Sequence, residues 1–216
     1  MAAVAFGDEL AIMVFNEKEK NNTIVIDSGH GGVDPGKVGT AGVLEKDINL
    51  SIAKKVKKLL EQKKYRVVMT RSEDKGLYQD TDSNKKKADM RARVSLIHET
   101  NPAMAVSIHQ NSFGSPQVKG AQVFYYQGSE EGKWMADLVQ DTLKEKLADG
   151  NHRIAKANNN YYMLCQTDVP FLIIECGFLS NPQEEQLLGS EEYQGKMAAA
   201  IATGIEKCLI QKKGKT

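Results

Sequence analysis

Three cysteines in 216 residues are too few for a disulfide framework. Cys165, Cys176 and Cys208 contain no CxxC spacing, so a thiolate metal site is excluded too. Cys176 lies on an apolar run and reads as buried packing. An excess of either charge is also missing. The chain has 29 Lys and Arg against 28 Asp and Glu, a formal charge of +1. That leaves no net field toward nucleic acid or anionic lipid, and no nucleic-acid partner is expected. The clusters at Lys54, Lys55, Lys57 and Lys58 and at Lys85 to Lys87 are interspersed with acids and read as wet helix faces. No run is long and apolar enough to span a bilayer. Met1 to Phe15 is mildly apolar, but it lacks a basic start and carries Asp8 and Glu9. Residues 1–22 therefore read as a leader remnant or extension, not as a complete signal peptide. Internal repeats and linkers are absent, and the length suits one domain.

What the chain does have is alternation. Short apolar runs alternate with amphipathic helical stretches, the pattern of a single α/β domain with a largely parallel twisted sheet and helices on both faces. Strands are expected at Thr23–Asp27, Arg66–Thr70, Met104–Ile108, Gly120–Tyr126, Tyr161–Gln166 and Phe171–Cys176. Helices are expected at Leu44–Lys63, Lys86–Glu99, Glu130–Leu147 and Glu191–Ile210. In the first of these, Ile48, Ile52, Val56, Leu59 and Leu60 fall on one face. The catalytic domain is placed at 23–210 and a basic tail at 211–216.

The loop after the first strand, Gly29-His30-Gly31-Gly32-Val33-Asp34-Pro35-Gly36-Lys37-Val38, stands where phosphates and dinucleotides bind in other proteins. The dinucleotide fingerprint fails at Asp34, where glycine is required. The phosphate loop fails at Val38, which has no hydroxyl for magnesium. Metal is the remaining reading. Glycines flanking His30 let the chain turn while the imidazole projects, with Asp27 or Asp34 available to orient it.

Three apolar runs lead into residues that bind metals or move protons: His30, His109 and Glu175. In an open parallel sheet the strand ends share an edge, where ligands collect. Glu45, at the start of the first helix, completes a set of two histidines and two carboxylates. That is the inventory of a catalytic zinc centre: ligands, an open position and a base. Glu45 alone has a simpler explanation, since a first-turn carboxylate is favoured by the helix dipole. Glu175 is the sharpest signal. A carboxylate on a buried strand is costly unless a metal, an arginine or a substrate proton partners it. His98 and His152 sit in polar contexts and read as surface residues.

The same residues carry a family resemblance. Ile26-Asp27-Ser28-Gly29-His30-Gly31-Gly32 and Leu44-Glu45-Lys46-Asp47-Ile48-Asn49-Leu50 resemble the first two motifs of the zinc-dependent N-acetylmuramoyl-L-alanine amidases. Thr70-Arg71, Ser107-Ile108-His109-Gln110-Asn111 and Glu175-Cys176-Gly177-Phe178-Leu179-Ser180-Asn181 follow in the family's order. The stretches 85–94 and 120–126, with Leu188-Gly189 and Tyr193-Gln194, are most similar to the germination-specific spore-cortex amidases.

The resemblance implies Zn2+ held by His30, Glu45 and His109, with Glu175 as the catalytic carboxylate. Asn111 or Arg93 is expected to position the substrate. It implies hydrolysis of the amide between N-acetylmuramic acid and L-alanine in peptidoglycan. It also implies an extracytoplasmic setting in the cell wall or spore cortex, and a protein partner that targets or activates the enzyme. Two other activities share the site inventory: a zinc carboxypeptidase or deacylase, and a wall-binding protein whose partner assembles the metal site. Ser28 stands where the family has proline, Gln110 where it has alanine, and His98 where asparagine is common. These departures bear on substrate preference, not on the chemistry.

Overall fold

The computed structural model describes residues 22–214. Nearly all of the expected leader or extension, and the end of the tail, lie outside the described residues. Six strands form one sheet: β1 (Thr23–Ser28), β2 (Arg66–Met69), β3 (Met104–Asn111), β4 (Gln122–Tyr126), β5 (Lys156–Asn158) and β6 (Phe171–Phe178). Their order is β2-β1-β3-β6-β4-β5. The first four in that order run parallel, while β4 joins β6 antiparallel and carries β5 parallel to itself. The largely parallel sheet is as expected.

The helices are α1 (Glu45–Gln62), α2 (Lys85–Thr100), α3 (Glu130–Leu147), α4 (Tyr162–Gln166), α5 (Pro182–Leu188) and α6 (Glu191–Lys213). Successive strand residues face opposite ways, so each central strand feeds two cores. Ile24, Ile26, Val106, Ile108, Leu172 and Ile174 pack with α1, α3 and α6. Val25, Ala105, Phe171 and Ile173 pack with α2 and α4 on the other face. Helix starts follow local chemistry. Ser129 accepts from Gly132 N at 2.8 Å, Asn84 from Lys87 N at 3.0 Å, and Asn181 from Glu184 N at 3.0 Å with Pro182 in the first turn.

The structure departs from expectation in four places. Tyr161–Gln166 is not a strand. It is the short helix α4, capped by Tyr161, with the adjacent Met163 and Leu164 both buried. Two neighbouring buried residues fit a helical turn better than a pleat, and a short apolar run does not separate the two by itself. β5 is three residues long and α5 seven, too short to show periodicity. Helix α6 continues through Lys213, beyond Ile210, with Lys212 Nζ reaching Ala103 O at 3.1 Å. Finally, β3 and β6 extend past His109 and Glu175, so these two residues sit within strands and not at their ends.

β1 connects through α1 to β2 on one side, and β3 lies on its other side. The connections diverge there, which opens a crevice outside the carboxyl ends of β1 and β3. Helices α1 and α2 border it on opposite faces.

Candidate metal centre

The crevice begins with a backbone that only its surroundings hold in place. His30 has φ 60°, left-handed for a residue with a Cβ. Three side chains pin this turn. Arg93 Nη2 donates to His30 O at 2.7 Å, while Arg71 Nη2 and Asn49 Nδ2 donate to Gly29 O at 3.0 and 3.1 Å. Gly29 is needed for closeness: a Cβ there would stand 2.2 Å from His109 Cε1. Gly36, at φ +69°, is needed twice over, because its Cβ would also meet Glu45 Oε2 at 2.6 Å.

Glu45, the first residue of α1, is 2 % exposed and sits between the two histidines. His109 Nδ1 lies 2.9 Å from Oε1 and His30 Nε2 lies 3.2 Å from Oε2. The backbone N–H groups of Gln110 and Lys37 donate to the same carboxylate at 3.0 and 2.7 Å. Burial opposes its ionisation, but hydrogen bonds from His109 and His30 outweigh that and hold the carboxyl well below the usual range. The His109 imidazole is half-buried; partial desolvation disfavours its cation, yet the Glu45 contact raises its pKa to about 8. Its ring stands edge-on to His30, 5.0 Å between centroids.

One donor atom from each of His30, Glu45 and His109 lies within 4.8 Å of the others. Two imidazoles and a carboxylate, one of them buried and ionised, fit a divalent cation, with a proton as its competitor for the same nitrogens.

His30 Nδ1 is 2.9 Å from Asp34 Oδ2, which fixes its tautomer and leaves Nε2 toward the centre. Asp34 is therefore the orienting acid, and Asp27 is not. Asp27 lies beneath, accepting from Thr70 Oγ1 at 2.7 Å and from Ser107 Oγ, and paired with Arg93 at 2.7 Å. Arg93 is 2 % exposed and fully engaged: it also binds Asp89 at 2.7 Å and Ser28 O at 2.6 Å. It borders the crevice with its donors turned to the protein.

Glu175, on β6, is paired in register with His109 on β3. It is 8 % exposed, and its Oε2 is buried without a hydrogen-bond partner. Burial pushes its pKa up to about 7, a shift that the nearby His109 moderates and Glu45 reinforces. Asn111 follows a bulge in β3; its Oδ1 accepts from Ser112 N at 2.8 Å, and it lines the cavity. The cavity holds about 660 Å³, with Lys37 and Lys86 among its lining residues and Tyr161, Tyr162 and Met163 lining it from α4. His98 and His152 lie on the surface away from it.

Two residues of the site had no assigned role in the sequence reading. Asn49 stands one turn after Glu45 on the same helix face, within 3.4 Å of its Oε1, and accepts from Gln110 Nε2 at 3.1 Å. That i, i+4 spacing was the available signal. Arg71, itself buried just after the edge strand β2, donates to three carbonyls around the turn, those of Ser28, Gly29 and Lys46.

A mostly parallel α/β sheet with two histidines and a carboxylate at one edge, beside a buried glutamate whose Oε2 has no hydrogen-bond partner, has the donor set and the nearby base that hydrolases with a candidate metal centre share. The chain belongs to the N-acetylmuramoyl-L-alanine amidase family, whose profile matches residues 24–207. It is 38 % identical over 192 residues to the germination-specific N-acetylmuramoyl-L-alanine amidase of Bacillus subtilis, covering 88 % of this chain and 80 % of that one. It is 29 % identical to the amidase AmiA of Escherichia coli, over 84 % of this chain and 74 % of that protein. Among solved structures, the CwlD amidase of Clostridioides difficile, in complex with the GerS lipoprotein, superposes with a TM-score of 0.84 at 38 % identity. That match covers 87 % of this chain and 98 % of the other. The protein is thus an N-acetylmuramoyl-L-alanine amidase, which decides against a carboxypeptidase or a general deacylase.

Proposed function

We propose that this amidase is zinc-dependent and acts in spore-cortex maturation or germination, in an extracytoplasmic wall or cortex compartment. His30, Glu45 and His109 would hold the zinc, and Glu175 is the catalytic carboxylate. Zinc bound there would supply Lewis acidity, lowering the pKa of water toward neutrality so that it can give up a proton and attack, and polarising the scissile carbonyl.

The remaining steps belong to the chain's own residues. Glu175 takes the proton of the attacking water and passes it to the nitrogen of the departing L-alanine. The observation that carries this role is the buried, unpartnered Oε2 with its carboxyl pKa near 7. Such a group exchanges protons at physiological pH without large cost in either direction. Asp34 keeps the His30 tautomer, and Asn49 with the Gln110 N–H keeps the Glu45 carboxylate in place. Asn111, on the cavity wall, orients the substrate. Arg93 serves the site by positioning the His30 carbonyl and not by touching substrate.

The cortex role is supported by the germination-specific Bacillus relative and the Clostridioides CwlD structure. The complex of that CwlD with a lipoprotein supports a protein partner for this chain as well. Among the described residues no helix is long and apolar enough to cross a membrane. The test is a digest of purified peptidoglycan, analysed by mass spectrometry with zinc and with chelator. Stem peptides with free N-terminal L-alanine, released only with zinc, are the expected result. Release that survives complete chelation would overturn the metal assignment.

A further inference from the structure

Helix α1 begins at Glu45 without a side-chain cap. Its first N–H groups are taken instead by the loop before it. Glu45 N donates to Lys37 O at 2.9 Å and Lys46 N to Pro35 O at 3.1 Å. Lys37 returns the contact, since its own N–H donates to Glu45 Oε2 at 2.7 Å. Both the backbone and the carboxylate of Glu45 therefore depend on where this loop stands. Between Lys37 and Glu45 the loop folds into a small hairpin, with Val38 bridged to Leu44 and Gly39 N donating to Val43 O at 2.8 Å. Val43 packs on the core at the base of the hairpin, but Thr40, Ala41 and Gly42 at its tip are exposed. A tip with so little buried surface opens easily unless something else holds it.

Glu185, on α5, holds it. The residue is 2 % exposed, and one of its carboxylate oxygens accepts from Thr40 Oγ1 while the other accepts from Ala41 N at 2.8 Å. Among the described residues, these are the hydrogen bonds that a distant side chain makes to residues 38–43. Gly39 makes the room: a Cβ there would stand 2.5 Å from Glu185 Cδ. The helix dipole favours an acid in the first turn of α5, but it does not require burial. A carboxylate this buried is costly unless its oxygens are occupied, and what occupies them is the hairpin tip. The adjacent Glu184 is buried as well, yet it holds Gly120 N and Phe178 N, at 2.9 and 2.8 Å, and not the hairpin.

We infer that Glu185 is a positioning residue of the metal centre: from α5 it anchors the hairpin that caps α1, and so keeps the Glu45 carboxylate where it can bind the metal. This rests on the zinc assignment proposed above.

The test is zinc affinity of the full chain, by competition with a chromophoric chelator, at a temperature below the unfolding of every variant. Glu185→Ala, which removes the anchor, and Gly39→Ala, which displaces it from the other side, should each bind zinc about 10- to 100-fold more weakly. Glu185→Gln should restore most of the affinity, because its carbonyl can accept from Ala41 N while its amide donates to the Thr40 hydroxyl. Glu184→Gln should lower Tm and leave zinc affinity unchanged. The visible spectrum of the cobalt-loaded protein, which reads ligand geometry directly, should change in Gly39→Ala and not in Glu184→Gln. Should Glu185→Ala fail to fold, Gly39→Ala and Thr40→Val decide the matter. Wild-type affinity and spectrum in the hairpin variants would overturn the inference and leave the zinc assignment standing. So would an equal loss of affinity in Glu184→Gln, which would mark the effect as one of general stability. If the wild type binds neither metal, the zinc assignment falls and this inference falls with it.

Discussion

Single residues set the geometry of this centre by what they leave out as much as by what they contribute. Gly29 is the clearest case. Alanine there would place a methyl group against the His109 ring, and the ring would have to leave its place between Glu45 and Glu175. Gly29→Ala is expected to weaken zinc binding about tenfold or more, by competition with a chromophoric chelator, while thermal unfolding changes little. Asn49→Ala removes a contact to Glu45 and one to the Gly29 carbonyl. Loss of such outer partners typically costs 10- to 100-fold in metal affinity, and the same competition assay checks it. His30, Glu45, His109 and Glu175 were legible in the sequence because each joins an apolar run or a helix start. Asn49 and Arg71 were not assigned, since their work is to bind backbone carbonyls of a turn whose shape appears only in three dimensions. Arg93 looked like a substrate contact for the same reason: nothing in the chain announces that Asp27, Asp89 and two carbonyls already occupy it.

At the scale of elements, β1, β3 and α2 are joined beneath the site by the buried Asp27–Arg93 pair. Burial works to raise the Asp27 carboxyl pKa, but Arg93, Ser107 and Thr70 lower it from 3.8 to about 2. A carboxyl depressed in the folded state stabilises the fold above its unfolded pKa. The pair's contribution is therefore complete above about pH 4 and is lost as pH falls toward 2, amounting to on the order of 2 kcal/mol. Urea unfolding at a series of pH values should show this loss, and Asp27→Asn should be less stable at neutral pH and flatter across that window. A second element contact is the crossing of α3 and α6, where a Cβ on Gly204 would lie 3.2 Å from Val139 Cγ2. Gly204→Leu is expected to cost about 1–3 kcal/mol by overpacking, read from the shift in denaturation midpoint. The long helices were legible from their amphipathic spacing. α4 was misread, because Tyr161 to Gln166 is short and apolar, and packing against Phe171 and Phe124, not local pattern, made it a helical turn.

For the whole molecule, the two cores on either side of the sheet are complete without the metal centre, which sits on one edge of a finished scaffold. Chelated protein is therefore expected to keep its far-UV circular dichroism and a single cooperative unfolding transition, with zinc raising the Tm as ligand linkage requires. An apo protein that is unfolded would contradict this. The parallel topology and its crevice were legible from strand–helix alternation, while the antiparallel β4 and the three-residue β5 were not. The central claim is that His30, Glu45 and His109 hold zinc while Glu175 moves the proton. Zinc content and peptidoglycan turnover, measured on one preparation of Glu175→Gln, test it most directly. The account predicts zinc stoichiometry equal to the wild type and turnover lower by about 10²- to 10⁴-fold. A variant that keeps both its zinc and its turnover would contradict it.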